Sequence, residues 1–183
     1  MKINVYGTRN MISAILPFLK QKGGGHIVNI SSMAGLIGPM EDKGGIYRVS
    51  KFAVVALTES LRFDLAPHGI GASALCPGMI ATNILACGRN RAEQFGPQVL
   101  GRTPEEAAWS ERYARALSGG MDPVEVGERV LEGIRRNEPY IFTHPEWKTF
   151  VERRNRKIEA ALGTPDPAKE ESLLRAFRWI ARG

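Results

Sequence analysis

The residue pair best suited to chemistry is Tyr47 and Lys51, four positions apart in the segment YRVSK. On a helix this spacing puts both side chains on one face, about one turn apart. A phenol in isolation titrates at about pH 10, and a neighbouring ammonium favours its ionised form. Such a pair can therefore act as a general acid or base. The same spacing also occurs in many ordinary helices, so the pair needs support from other residues.

Polar residues at three other places could complete a site with this pair. Ser31 and Ser32 end an apolar run, and the segment CPGMIAT at 76–82, which includes Thr82, ends another. Both runs are typical of buried parallel strands, whose carboxyl ends face the ligand crevice of a parallel sheet. Asn4 puts an amide on the first predicted helix. The alternatives are a plain strand end, a Pro-Gly turn and a solvent-facing asparagine.

Hydrophobic periodicity and turn residues predict that strands alternate with long helices. Asp122 followed by Pro123 is typical of a helix N-cap and first helical position. The predicted elements are a helix over 2–21 ended by the glycines at 23–25, a strand HIVNISS, a helix over 46–66, a strand GIGASALCPG, a mixed segment over 83–119, a helix after Asp122, a strand PYIFTHP and charged helices beyond it.

This order favours an α/β fold, because strands that alternate with helices form βαβ crossovers and a parallel sheet. We predict a partial doubly wound, Rossmann-type sheet of about three strands flanked by helices. Residues 1–145 form this domain, and 146–183 form a helical C-terminal extension. The chain begins with a helix and has few strands, so we expect it to be the second half of a larger doubly wound domain.

Composition excludes several classes of protein. The chain has 183 residues with 43% hydrophobic and 24% charged residues, which is typical of a globular domain. No apolar run approaches the roughly 20 residues of a membrane span. No signal-peptide pattern is recognisable at the N-terminus. We therefore expect a cytoplasmic protein that does not interact with membranes.

The charge pattern and the few thiols argue against two further functions. The net charge is +6, but basic residues alternate with acidic ones, as in VERRNRKIEAALG, so we expect no nucleic-acid binding. Cys76 and Cys87 are too few for a disulfide framework or a four-ligand zinc site. His144 has no second ligand at a useful spacing, so no metal is expected. His144 follows a predicted strand and could reach the substrate pocket. The alternative is a purely structural role for this residue.

Four segments together resemble the short-chain dehydrogenase/reductase family. They are INVYG, GHIVNISSMAG, YRVSK and CPGMIAT, in this order. The family pattern has Asn-x-x-Gly on a helix, Ile-Ser-Ser-x-x-Gly on a strand, Tyr-x-x-x-Lys on the next helix and Pro-Gly-x-x-x-Thr after the next strand. The resemblance covers about residues 1–85, and the order of elements fits to about residue 145.

The resemblance implies an oxidoreductase that uses NAD or NADP to interconvert an alcohol and a ketone or aldehyde. Tyr47 would be the acid/base, and Lys51 would lower its pKa and bind the nicotinamide ribose. Ser32 would orient the substrate oxygen, and Asn4 would hold a water against Lys51. The residues implied to contact the nicotinamide and nearby phosphate are Pro77, Gly78, Ile80 and Thr82.

The sequence departs from the family pattern in two ways. The loop between Ser32 and Tyr47 is a residue or two longer than usual. The glycine-rich phosphate-binding turn and the residue that selects NAD or NADP have no counterpart here, so the cofactor preference is not readable. KGGG at 22–25 is typical of a helix stop. The alternative interpretation is therefore a truncated, non-catalytic remnant that acts, if at all, through a helical oligomer interface.

The resemblance also implies a substrate lid and an oligomer. Residues 83–119 correspond to the variable lid of the family, and their apolar side chains favour a small lipophilic alcohol or carbonyl substrate, although a plain core would use the same residues. The helices predicted over 2–21 and 46–66 correspond to the usual interface helices, so a homo-oligomer is expected. The apolar residues concerned in the lid are Met79, Ile84, Leu85, Phe95, Trp109 and Tyr113.

Overall fold

The computed structural model describes residues 1–38, 44–96 and 103–177. It divides into two compact units, Met1–Trp147 and Lys148–Gly183. Part of the longer loop predicted between Ser32 and Tyr47, and residues 97–102 of the predicted lid, lie outside the described residues. Every helix in the described ranges is too short or too polar to cross a membrane.

The first unit contains the predicted parallel sheet. In the described residues the sheet has three strands in the order β1-β2-β3, and each neighbouring pair is parallel. This confirms the α/β, Rossmann-type prediction. The strands are β1 (Gly25–Ile30), β2 (Ile70–Cys76) and β3 (Tyr140–Phe142), and the helices are α1 (Thr8–Lys22), α2 (Gly45–Leu65), α3 (Pro104–Ser118) and α4 (Pro123–Arg135).

Helix ends follow the sequence signals. α1 ends at Gly23, which has a φ of 78° and so adopts the left-handed conformation that glycine tolerates best. α4 begins after Asp122, whose carboxylate accepts a hydrogen bond from the Val124 N–H at 2.7 Å. That side chain satisfies one of the N–H groups that the first helical turn leaves without a partner. The predicted N-cap is confirmed.

Helices cover both faces of the sheet. Neighbouring residues on a strand point to opposite faces. Tyr140 donates a short hydrogen bond to Glu59 of α2, whereas the next residue, Ile141, packs against Gly133 of α4. α2 and α4 therefore lie on opposite faces. The central strand β2 is almost wholly buried as a result, which explains why its sequence is a nearly continuous apolar run.

The core beside α1 and α2 forms where their apolar faces meet the sheet. The residues buried there are Ile12 of α1, Ile27 of β1, Leu65 at the end of α2 and Ile70 at the start of β2. Burying such a side chain stabilises the fold by about 1.5–3 kcal/mol. The cluster fixes both helices against β1 and β2, and so determines where the first residues of α2 lie.

His26 of β1 lies in a polar cluster on the other face of the sheet. Its Nε2 atom is 2.7 Å from the Ser73 hydroxyl oxygen, and that hydroxyl donates to the Glu138 carbonyl. Burial, and secondarily the positive charge of Arg62, hold the pKa of His26 below its ordinary 6.5. The unfolded chain therefore binds this proton more tightly than the folded chain.

The His26 pKa gives a pH-dependent term in stability. At pH values between 6.5 and the lower pKa that His26 has in the folded state, the unfolded chain binds a proton at His26 and the folded chain does not. The free energy of unfolding therefore falls as the pH is lowered through this range. We expect His26→Gln to reduce this loss. Urea unfolding at pH 7.5 and pH 5 measures it, with His68→Gln, at an exposed turn, as the control. An unchanged pH dependence in His26→Gln would contradict this account.

The described part of the second unit is helical and exposed. It contains α5 (Lys148–Leu162) and α6 (Pro167–Ala176), and neither has a buried residue. Lys148 and Glu152 form an ion pair across one turn of α5 at 3.7 Å. Exposed pairs of this kind contribute little stability, about 0.3–0.5 kcal/mol. The polar, charge-alternating sequence of this unit accounts for its exposure.

Candidate active site

Tyr47 and Lys51 lie next to each other on the first turns of α2. The Lys51 ammonium nitrogen is 5.6 Å from the centre of the Tyr47 ring, which is within cation–π distance. Tyr47 is 45% exposed, and its hydroxyl forms no hydrogen bond with the described residues. The phenol is therefore beside a cation and open to a ligand.

Lys51 also contacts the end of β1. Its ammonium donates a hydrogen bond to the Ile30 carbonyl at 2.9 Å. Burial lowers the pKa of Lys51, and the nearby Cys76 thiol opposes part of that effect. The ammonium is thus anchored at the carboxyl end of the strand, and within the described residues two of its three N–H groups remain for other acceptors.

The two serines after β1 do different things. Ser31 is buried, and its hydroxyl donates to the Lys51 backbone carbonyl at 2.9 Å. Ser32 is partly exposed, and its hydroxyl oxygen accepts from the Ala34 N–H at 3.1 Å. The Ser32 hydroxyl hydrogen has no acceptor in the described part of the chain. Ser31 therefore ties the strand to α2, and Ser32 keeps a free donor.

The turns after β1 and β2 are joined at the same edge of the sheet. The Met33 N–H donates to the Pro77 carbonyl at 3.0 Å, and the Ser31 N–H donates to the Leu75 carbonyl at 2.8 Å. These bonds bring Ser32 and Pro77 close to the Lys51 end of α2. The carboxyl edge of a parallel sheet is where ligands of doubly wound proteins bind.

Gly78 is closely surrounded in the turn after β2. Its N–H donates to the Thr143 hydroxyl at 2.9 Å. A Cβ atom added at Gly78 would lie 2.8 Å from Nδ1 of His144 and 2.9 Å from Nε1 of Trp147. Only a residue without a side chain fits here. His144, considered above for the substrate pocket, packs against this turn, and its Nδ1 is 2.7 Å from the Thr143 hydroxyl.

Ile80 and Thr82 lie further along, on the way to α3. Ile80 forms a parallel bridge with Met121, and the Ala81 N–H donates to the Met121 carbonyl at 3.0 Å. Thr82 is exposed and lines an open cavity of about 420 Å³ together with Leu117 of α3 and other residues. Of the residues predicted to contact a cofactor, Pro77 and Gly78 are therefore linked to the strand ends, whereas Thr82 lines this cavity.

Asn4 lies on a π-helical turn, Lys2–Gly7, before α1. Such turns are uncommon in proteins, but those that occur are often found at functional sites. The side-chain amide of Asn4 donates to the Ser50 hydroxyl at 3.0 Å, and the backbone carbonyl of Asn4 accepts from the Thr8 hydroxyl at 2.8 Å. The Asn4 amide thus contacts the residue before Lys51 in the sequence. The expected water between Asn4 and Lys51 stays a prediction.

Two buried hydroxyl groups of this region, those of Ser50 and Thr143, were not among the residues predicted for the site. The Ser50 hydroxyl accepts a hydrogen bond from the Asn4 side-chain amide, and the Thr143 hydroxyl accepts one from the Gly78 N–H. The only signal for either was a small polar residue inside an otherwise apolar stretch. Cys76 is also buried at the end of β2, and burial raises the pKa of its thiol to about 12. It therefore remains a thiol at neutral pH and is no nucleophile.

Comparison with curated proteins gives relatives over most of the chain. A CLA biosynthesis dehydrogenase/reductase of Lactiplantibacillus plantarum is 29% identical over 173 residues, 91% of this chain and 59% of that protein. A C alpha-dehydrogenase of Sphingobium sp. is 29% identical over 182 residues, 99% of this chain and 58% of that protein. The chain thus spans a little under three fifths of the length of these relatives.

Comparison with solved structures gives the same picture. A short chain dehydrogenase/reductase from Burkholderia phymatum, solved in complex with NAD, superimposes with a TM-score of 0.77 at 35% identity. The superposition covers 90% of this chain and 59% of that one. The family profile described as short chain dehydrogenase matches residues 1–92, which carry all four motifs. The chain therefore belongs to the short chain dehydrogenase family.

Proposed function

We propose that this chain carries the proton-transfer centre of a nicotinamide-dependent oxidoreductase that interconverts an alcohol and a ketone or aldehyde. The observation that carries the proposal is the exposed Tyr47 phenol beside the Lys51 ammonium, at the sheet edge where Ser32 retains a free hydroxyl hydrogen. Because the chain spans only part of its relatives, the activity is proposed for the polypeptide that contains these residues.

Tyr47 exchanges a proton with the substrate oxygen. During reduction the phenol donates the proton to the carbonyl oxygen, and during oxidation the phenolate accepts it from the alcohol. General acid–base catalysis of this kind contributes about 10²- to 10⁴-fold to the rate. Lys51 stabilises the phenolate by its positive charge, because the ammonium lies 5.6 Å from the ring centre.

Ser32 orients the substrate and stabilises the developing charge. Its hydroxyl oxygen accepts the Ala34 N–H, so its hydrogen points away from that bond and can donate to the substrate oxygen. A preorganised donor at this position is most valuable in the transition state, when negative charge collects on the oxygen. Together, Ser32 and Tyr47 would hold one substrate oxygen from two sides.

The donor set fits a nicotinamide cofactor, either NAD or NADP. Lys51 has two N–H groups beyond its bond to Ile30, which match the two hydroxyl groups of a ribose. The nicotinamide end of the cofactor would contact the segment after β2, at Pro77, Gly78, Ile80 and Thr82. When bound, the cofactor supplies or accepts the hydride. The NAD complex of the Burkholderia phymatum relative supports this assignment.

The cavity beside α3 favours a lipophilic substrate. Its volume is about 420 Å³, and its lining is mostly apolar, with Leu85 and Leu117 as the largest members and Ala114 on the helix side. Thr82 lies on its wall, so the cavity is continuous with the segment proposed to meet the cofactor. We assign the segment 83–119 as the substrate lid, and the apolar lining would take the carbon skeleton.

Filling this cavity gives a test of the substrate proposal. We expect Ala114→Phe to raise KM for a long-chain ketone by about tenfold, since a phenyl ring would occupy the space that the substrate needs. Ala116→Phe is the matched control, because Ala116 lies on the same helix and does not line the cavity. Steady-state kinetics measure both. Equal KM values for the two variants would remove the assignment of this cavity.

We also propose that the protein forms a homo-oligomer through α1 and α2. Their outer faces expose several large apolar side chains in the first unit, which is unusual for a surface that meets only water. Sedimentation of the purified chain at several concentrations tests this. The residues concerned are Met11, Ile15, Phe18, Val49 and Phe63.

A further inference from the structure

A chain of two hydrogen bonds connects the turn before α1 with the backbone of Tyr47. The Asn4 amide donates to the Ser50 hydroxyl at 3.0 Å, and that hydroxyl donates to the Tyr47 carbonyl at 2.7 Å. Ser50 is 1% exposed, so its hydroxyl is shielded from water at the centre of both bonds. Between Tyr47 and Lys51 the buried side chains are those of Ser50 and Arg48, and the Ser50 hydroxyl donates to the Tyr47 carbonyl.

The same arrangement recurs two turns later on α2. The Asn29 amide of β1 donates to the Thr58 hydroxyl at 3.0 Å, and that hydroxyl donates to the Val54 carbonyl at 2.7 Å. Residues eight apart lie close to one face of a helix. α2 is therefore held at two points on its inner face, near Tyr47 by Asn4 and further along by Asn29.

We propose that Ser50 is a positioning residue for the proton transfer, a role that rests on the function proposed above. It holds the Tyr47 carbonyl, and with it the start of α2, at a fixed position relative to Asn4. Lys51 is fixed separately, because its carbonyl accepts from Ser31 and its ammonium donates to Ile30. The distance between the phenol and the ammonium therefore depends on both sets of bonds.

Loss of the Ser50 hydroxyl would break two hydrogen bonds at once. The partly buried Asn4 amide would lose its acceptor, and a donor shielded from water is costly to leave without a partner. The Tyr47 carbonyl would lose its second donor, while the Ile30 contact would still hold the Lys51 ammonium. The phenol would then move relative to the ammonium, and a displacement of about 1 Å can cost about 10²-fold in rate.

Kinetics of Ser50→Ala provide the first test, with two matched controls on α2. Ser60 makes the same kind of bond, to the Ala56 carbonyl at 3.0 Å, but on the exposed surface. Thr58→Ala breaks the second Asn–hydroxyl pair, away from Tyr47. We expect Ser50→Ala to lower kcat about tenfold with KM for NADPH within about twofold. Ser60→Ala should change neither constant, and Thr58→Ala should lower thermal stability but leave kcat unchanged.

A second readout needs no cofactor and no turnover. The pKa of Lys51 is lowered by burial, and ¹³C NMR of its ε carbon, assigned with Lys51→Arg, follows it by titration. The Tyr47 ring lies 5.6 Å from the ammonium, so its displacement would expose the ammonium to water, and we expect this pKa to rise in Ser50→Ala and to stay unchanged in Ser60→Ala. If the wild-type protein shows no turnover, the proposed function is wrong. The titration of Lys51 still tests the positioning role of Ser50 in that case.

Two results would overturn the role of Ser50. One is a Lys51 titration in Ser50→Ala that matches the Ser60→Ala control. The other is a fall in kcat for Thr58→Ala as large as that for Ser50→Ala, which would mean that any loosening of α2 has the same effect. If Ser50→Ala does not fold, Asn4→Ala removes the same amide bond and leaves the bond from Ser50 to Tyr47.

Discussion

Tyr47→Phe is expected to lower turnover of a carbonyl substrate by about 10³-fold, within the range that general acid–base catalysis contributes. The substitution removes only the phenol oxygen, which is the sole atom of this side chain able to donate or accept the proton. The Tyr47 hydroxyl forms no hydrogen bond with the described residues, so stability should change by less than about 0.5 kcal/mol. Stopped-time assays of nicotinamide absorbance and a thermal melt measure the two quantities.

The control for this variant is Tyr6→Phe. Tyr6 is 57% exposed and lies on the turn before α1, outside the proposed centre. It should keep full activity and full stability. If Tyr47→Phe retained more than about a tenth of wild-type activity, another group would have to supply the proton, and the assignment of Tyr47 would be wrong.

Gly35→Ala is expected to lose about 1–3 kcal/mol of stability, the usual cost of forcing extra atoms into a packed interior. A Cβ atom at Gly35 would lie 2.7 Å from the Lys51 carbonyl oxygen and 2.7 Å from the Ser31 hydroxyl oxygen. The first of these is backbone, which cannot turn aside as a flexible side chain can. The new methyl group would push α2 away from β1 at Lys51, so nicotinamide binding should weaken as well.

Gly127→Ala is the matched control for that substitution. Gly127 lies within α4, and a Cβ added there meets nothing within 4 Å. Alanine is the better helix former by about 1 kcal/mol, so this variant should be slightly more stable than wild type. Urea unfolding of both variants measures the difference. If Gly35→Ala had wild-type stability, the turn that contains Gly35, which follows β1, would not be in the close contact with α2 described above.

The sequence predicted the fold well because local signals and the global fold agree. The apolar runs of β1 and β2 are bounded by glycine or proline, and Asp122 marks the start of α4. Each signal depends on near neighbours in the chain. The spacing of Tyr47 and Lys51 is likewise a property of one helix, so their proximity follows from the sequence alone.

Contacts between distant parts of the chain could not be predicted in this way. No local signal shows that the Ser31 hydroxyl bonds to the Lys51 backbone while the Ser32 hydroxyl hydrogen has no acceptor among the described residues, because that depends on which serine faces α2. Asn4 and Ser50 are 46 residues apart, and Gly78 and Thr143 are 65 apart. Only the packing of α1, α2 and the sheet brings each pair within hydrogen-bond distance.

If Tyr47 and Lys51 serve a nicotinamide cofactor, a binding titration with each cofactor form will separate the contributions of the two side chains. NADPH and NADH would be added separately to the folded wild-type chain and to Tyr47→Phe and Lys51→Ala, with tryptophan and nicotinamide fluorescence as the signals. We predict saturable micromolar binding to wild type and Tyr47→Phe, and binding at least about tenfold weaker to Lys51→Ala, which lacks the proposed ribose donors. Equal binding by Lys51→Ala and wild type, or no binding by the folded wild-type chain, would contradict the account.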